Sequence, residues 1–159
     1  MKIKLLCIGK IKEKYLNEGI NEFLKRLKVY AKIEIIEKKE ERISDNPSQS
    51  EIDSVLEVEG NSLLKEIKND DYVIILDLHG KEVDNHQFLA ILDKAMVSGY
   101  SSFVFVIGGS YGISNELRNR SDFKWSFSKL TFTHQMIRLL LLEQIYRSFR
   151  IKHNEPYHK

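Results

Sequence analysis

Phe103-Val104-Phe105-Val106-Ile107-Gly108-Gly109-Ser110-Tyr111-Gly112 is the stretch from which the rest of the chain is read. Five apolar residues, β-branched and aromatic, run without a polar interruption into two glycines. Such a run reads as a strand buried on both faces. Glycine after it lets main-chain N–H and C=O groups come close to another group, because no Cβ stands in the way. In an open α/β sheet, ligands sit beyond the carboxyl ends of the strands, where this loop falls. The same residues also fit a tight turn that holds no ligand, and the stretch by itself leaves both readings open.

Working outward, further strands are predicted at 3–8, closed by Gly9, at 33–37, at 72–77 and, from strict alternation, at 124–128. Between them lie helices. Leu16, Ile20, Phe23, Leu27 and Tyr30 form one apolar stripe over Lys14–Tyr30, with Lys25, Arg26 and Lys28 on the other face, which reads as a solvated surface or as an RNA contact. A helix is expected over Ser50–Lys68, where Gly60 suggests close packing, and another after Asp84, which forms a capping-box pattern with Gln87 and ends by Gly99. Ser114 is expected to cap a short helix through Leu117, and a last helix spans His134–Lys152. The polar stretch 38–50, with Pro47, is expected to be a mobile surface loop, and 78–81 a loop in which His79 is a surface residue. The alternation of strand and helix predicts an α/β fold: a mainly parallel sheet with helices on both faces, in one domain over residues 1–159.

Composition narrows the function classes. Charged residues make up 30% of the chain but nearly balance, at net +2, so bulk charge does not mark a nucleic-acid binder; any such contact needs a local patch. Lys10, Lys12, Lys14, Arg150, Lys152 and Lys159 are candidates for one. The single cysteine, Cys7, excludes an intrachain disulfide and a cysteine-based metal site, sits in a strand pattern as an inert core residue, and fits a cytoplasmic location. No signal peptide is expected before the first strand, and the longest apolar run, Leu139–Leu142, is too short to span a membrane.

The last helix is apolar on almost every side: Met136, Ile137, Leu139, Leu140, Leu141, Leu142, Ile145, Tyr146 and Phe149, interrupted by Arg138. A helix of that kind needs cover all round. A second copy of the chain is the simplest cover, so a two-fold homodimer is expected. Arg138 is expected to be paired or at the dimer seam, and Glu143 with Arg147, four residues apart, to form an ion pair.

Several segments together resemble the RlmH family. They are Phe105–Gly112, Ser126–Arg138 (Ser-Phe-Ser-Lys-Leu-Thr-Phe-Thr-His-Gln-Met-Ile-Arg), Glu143–Arg147 and the terminal Tyr157-His158-Lys159, with Ile8-Gly9-Lys10, Leu76-Asp77 and Gly80-Lys81 further forward. The resemblance covers essentially the whole chain. It implies a small SPOUT-class methyltransferase with a carboxyl-terminal trefoil knot, an exception to the rule that chains are not knotted. It implies a homodimer that takes a methyl group from S-adenosylmethionine, without a metal, to N3 of a pseudouridine in 23S ribosomal RNA of the assembled ribosome. It places the cofactor against Leu76, Gly108 and the segment Phe127, Ser128, Lys129, Leu130, Thr131 and Phe132. Where the family commonly has proline before the histidine of this segment, Thr133 stands here; its hydroxyl is expected to cap the following helix.

The donor methyl is already activated on a sulfonium, so the protein must align the nucleophile and deal with the N3 proton. Within the resemblance, Tyr157 and His158 are the candidate catalytic residues, His158 to accept the proton or orient the base and Tyr157 to stack or donate a hydrogen bond. His134 is a candidate to orient the loop before it, and Arg147 to reach phosphate. Two rival readings use the same fold: a non-catalytic dimeric factor that binds RNA or the ribosome, and a nucleotide binder, although Gly108–Gly112 matches neither a Walker loop nor a dinucleotide fingerprint.

Overall fold

The computed structural model describes all 159 residues, Met1 to Lys159. In chain order it runs β1 (Lys2–Ile8), α1 (Lys14–Leu27), β2 (Lys32–Lys38), α2 (Gln49–Leu64), β3 (Tyr72–Lys81), α3 (Asn85–Val97), β4 (Ser102–Ile107), α4 (Asn115–Arg120), β5 (Phe123–Trp125) and α5 (Met136–Lys152). The strands pair in parallel in the order β2-β1-β4-β3-β5, which puts the Phe103–Ile107 run at the centre of the sheet.

Successive side chains on a strand point to opposite faces, and here both faces are covered. Leu5, Cys7, Phe103, Phe105 and Ile107 pack with α1, α3 and α5; Leu6, Ile8, Val104 and Val106 pack with Leu63 of α2 and Leu117 of α4. That is why β4 reads as a continuous apolar run. Cys7 is fully buried, and burial pushes its thiol up to about 12, which makes it inert. Gly60 does allow close packing: a Cβ there would lie 2.3 Å from Oγ of Ser114, the residue whose hydroxyl accepts the Leu117 N–H to cap α4.

Several boundaries differ from the sequence expectation, each for a local reason. α1 ends at Leu27, and Tyr30 leaves the stripe to stack on Phe149 at 5.1 Å. α2 starts after Ser48 rather than Ser50, because Ser48 and Glu51 form a reciprocal capping box. The segment before it is tied down, with the Glu41 N–H donating to Glu59 and the Ser44 hydroxyl to Glu51. β3 continues through 78–81, where Lys81 O accepts the Ser126 N–H. β5 stops at Trp125, because the Ser126 hydroxyl bonds Ser128 O and the Ser128 hydroxyl accepts the Leu130 N–H. Such side chain-to-backbone bonds compete with a ladder and turn the chain out of the sheet.

α5 begins at Met136 instead of His134. Thr133 supplies the expected cap, its Oγ1 accepting the Met136 N–H at 3.1 Å. The chain itself covers more of this helix than its sequence suggests. Leu139 packs on Gly19 of α1, Ile145 and Phe149 join the core shared with α3, and Tyr157 of the tail meets Tyr146 edge-on at 5.0 Å. The breadth of the apolar surface is therefore largely an intrachain matter. No helix is long and apolar enough to cross a membrane.

Candidate functional site

Beyond the carboxyl end of β4 and beside the second half of β3, three segments meet around an open cleft of about 830 Å³: 76–79, 107–113 and 125–137. The middle segment is a tight turn, closed by the Gly112 N–H donating to Gly109 O at 3.1 Å. A Cβ on Gly108 would lie 2.3 Å from Gly112 O and 2.8 Å from its carbonyl carbon, so only glycine lets the chain fold back this closely. The turn rests on acidic groups. Glu59, buried, lies under Gly109 and accepts the Glu41 N–H, while Glu40 accepts the Ser110 hydroxyl at 3.1 Å. Burial raises the Glu59 carboxyl above its usual range, Glu40 and Glu41 add to the effect, and the Glu41 N–H opposes it.

The first wall is built on Asp77. One oxygen receives Arg118 Nε at 2.7 Å and the other the His79 N–H at 3.1 Å; Asp77, His79 and Arg118 all line the cleft. Burial works to raise the Asp77 carboxyl, but the Arg118 and His79 hydrogen bonds with the Arg118 charge outweigh it and hold it below the usual range. On the third side, Trp125 stacks on Phe88 at 3.9 Å and Phe127 leans on Trp125 at 4.4 Å. Leu78, Tyr111, Leu130 and Phe132 form an exposed apolar rim. Bare main chain at Gly108 beside apolar walls suits a flat ring with a polar edge.

The cleft brings together most of the cofactor residues expected from the sequence. Leu76, Gly108, Phe127, Ser128, Leu130, Thr131 and Phe132 all line it; Lys129 does not. His134 lines it as well. Tyr157 and His158 stand elsewhere, folded back along α5. The Tyr157 hydroxyl donates to Glu143 at 3.0 Å, its ring lies under Arg147 at 4.8 Å, and His158 Nδ1 is 3.3 Å from Arg147 Nη1. Burial, then the Glu143 hydrogen bond, raises the Tyr157 phenol. Glu143 and Arg147 form the expected pair at 2.6 Å.

Of the basic candidates, Arg150 pairs with Glu155, Lys152 with Asp93 and the exposed Lys14 with Glu18, while Lys10, Lys12 and Lys159 are exposed without an ion pair. The Lys12 N–H donates to the side chain of Gln135, a residue of the cleft wall, so this basic segment flanks the cleft. Sequence reasoning missed the Asp77–Arg118 pair. An acid closing an apolar strand at its carboxyl end was the available signal for Asp77; nothing in the sequence pointed to Arg118.

Residues 1–158 match the family model described as predicted SPOUT methyltransferase. Three relatives align over the full length of both chains and carry the name ribosomal RNA large subunit methyltransferase H: those of Halothermothrix orenii at 48% identity, Clostridium botulinum at 47% and Streptococcus agalactiae at 46%. The fold is also similar to the solved structure of a probable methylase family protein from Haemophilus influenzae, with a TM-score of 0.52 and 10% identity, over 99% of this chain and 70% of that one.

Proposed function

The chain belongs to the SPOUT methyltransferase family, and from that membership we propose that it methylates large-subunit ribosomal RNA with S-adenosylmethionine as donor, at N3 of a pseudouridine in 23S RNA of the assembled ribosome. The observation that carries this reading is the cleft beyond β4 and beside β3, which gathers Leu76, Gly108 and most of Phe127–Phe132 around one space. A carboxyl-terminal trefoil knot goes with the family.

When bound, the cofactor supplies a methyl group already activated on a sulfonium. The protein's share is position and proton handling. Leu76, Leu130 and Phe132 provide apolar walls, and the main chain around Gly108 provides donors and acceptors for a heterocycle edge. The N3 proton must leave before or during transfer; His158 is the group assigned to accept it or to orient the base, and Tyr157 to stack or donate a hydrogen bond. Neither His158 nor Tyr157 lines the cleft of its own chain. A homodimer in which the partner's tail closes the cleft lets both reach the base, which ties the proposed dimer to catalysis. Lys10, Lys12 and Lys14 supply the basic surface beside the cleft that the near-neutral net charge does not.

The test is transfer of labelled methyl from S-adenosylmethionine to intact ribosomes lacking the modification, beside separated subunits and naked RNA, with sedimentation of the protein for oligomeric state. Label at N3 of a pseudouridine in intact ribosomes is the expected result. Binding of ribosomes without label on any substrate would instead favour a non-catalytic binding factor.

A further inference from the structure

We propose that Tyr111 is the platform on which the target base stacks once it enters the cleft, an assignment that rests on the RNA methyltransferase reading above. Of the seven tyrosines, Tyr30, Tyr72, Tyr100, Tyr146 and Tyr157 each lie against another aromatic ring of the chain, and Tyr15, 59% exposed on α1, stands away from the cleft. Tyr111 lines the cleft, is 39% exposed, and has neither a ring partner nor a hydrogen bond to its hydroxyl. Turn chemistry gives no reason for it: tight turns favour Gly, Asn, Asp and Ser, and a bulky ring at this place does nothing for the turn.

The backbone beneath the ring is held from three sides. Gly112 closes the turn through its N–H to Gly109 O, the Ser110 hydroxyl is tied to Glu40, and Gly109 sits directly over the Glu59 carboxyl. Only the two side-chain torsions of Tyr111 remain to be ordered on binding, so the ring is a low-entropy binding surface. Around the same mouth, Leu78, Leu130 and Phe132 are 52%, 72% and 43% exposed. A base that leaves its stack gives up apolar neighbours on both faces, and proteins that read unpaired RNA replace those neighbours with aromatic rings. Enzymes that modify a base within folded nucleic acid take the base out of its stack to reach it. The cofactor residues lie on Leu76, Gly108 and the 127–132 segment, which leaves the Tyr111 ring for the second reactant.

The test uses Tyr111→Ala, Tyr111→Phe and Tyr111→Trp in the full-length protein. Binding of S-adenosylhomocysteine is followed by calorimetry, and methyl transfer to 70S ribosomes lacking the modification by steady-state kinetics. Tyr111→Ala is expected to leave S-adenosylhomocysteine affinity within about twofold while kcat/KM for ribosomes falls roughly tenfold to a hundredfold, the size of a missing base–aromatic stack. Tyr111→Phe and Tyr111→Trp keep a ring and are expected to stay near wild type. Wild-type kinetics in Tyr111→Ala would overturn the assignment. So would a Tyr111→Phe variant as defective as Tyr111→Ala, which would make the hydroxyl the active part. An equal loss of S-adenosylhomocysteine binding would give the ring to the cofactor or to the turn instead. Should the wild-type protein transfer no methyl group to any RNA, the parent reading falls and takes this one with it.

Discussion

Arg138, with 1% of its side chain exposed, places Nη1 2.7 Å from Oε2 of Glu37 and donates through Nη2 to the carbonyl oxygens of Ile8 and Gly9 at 2.8 Å each. One guanidinium thus fastens the start of α5 to the carboxyl ends of β1 and β2, next to the cleft. Arg138→Met leaves the two main-chain carbonyls without their donor. It is expected to cost about 3–5 kcal/mol, toward the lower end because Glu37 is one-third exposed and can reach water. Urea unfolding of the two proteins measures it, and a difference below about 1 kcal/mol would mean that the guanidinium is not the fastening.

Gly108→Ala forces a Cβ into the Gly112 carbonyl, which is backbone and cannot step aside as a side chain can. The turn must open, at a cost of about 1–3 kcal/mol. Calorimetric titration with S-adenosylhomocysteine is expected to show no binding to a variant that still folds.

Asp77 has a folded-state pKa held below its unfolded value of about 3.9. Its contribution to stability is complete above that value and is lost as pH falls through the lower, folded-state one. Asp77→Asn removes the contribution at every pH. The variant is expected to be less stable than wild type at pH 7, and the gap to narrow below about pH 4. Urea midpoints across that range decide the point; a gap that stays constant would mean that the Arg118 interaction does not depend on the carboxylate charge.

His158→Ala is expected to lower turnover on ribosomes by roughly a hundredfold, the scale of a missing general base, while affinity for S-adenosylhomocysteine stays unchanged. Mixing this variant with a Gly108→Ala chain checks the dimer as well. If the tail of one copy serves the cleft of the other, heterodimers recover part of the activity that neither parent has.

Lys10→Ala with Lys12→Ala removes two exposed cations beside the cleft. The slope of log affinity for ribosomes against log salt is expected to flatten by about one for each phosphate that is no longer neutralised. An unchanged slope would move the RNA-facing surface elsewhere.

Much of this was legible in the chain, for identifiable reasons. A strand buried on both faces must be apolar at every position, so Phe103–Ile107 could be read as one, although its place at the centre of the sheet follows only from the strand order. The Asp84–Gln87 box and the Ser114 cap are local interactions and can be read locally. What escaped depends on distant partners. β3 extends to Lys81 because the residues after β5 return beside it, which no window around His79 contains. The Asp77–Arg118 pair joins residues from different elements, and the cover that α1, α3 and the tail give to α5 likewise comes from residues far away in sequence. The 127–132 segment was placed through resemblance, and periodicity alone would have extended β5 into it.

The central position of β4 also dictates the order in which a chain emerging from the ribosome can assemble. β1 can pair with β2 once both have left the ribosome, but its other edge stays bare until Ser102–Ile107 follows, and β3 waits for the same strand. Two open edges persist until that strand appears, an interval in which strand-to-strand aggregation between nascent chains is a hazard. Once β4 slots between β1 and β3, both of those edges are covered together. No ligand of the cleft can protect the half-made protein, because the cleft's last wall is synthesised after β5.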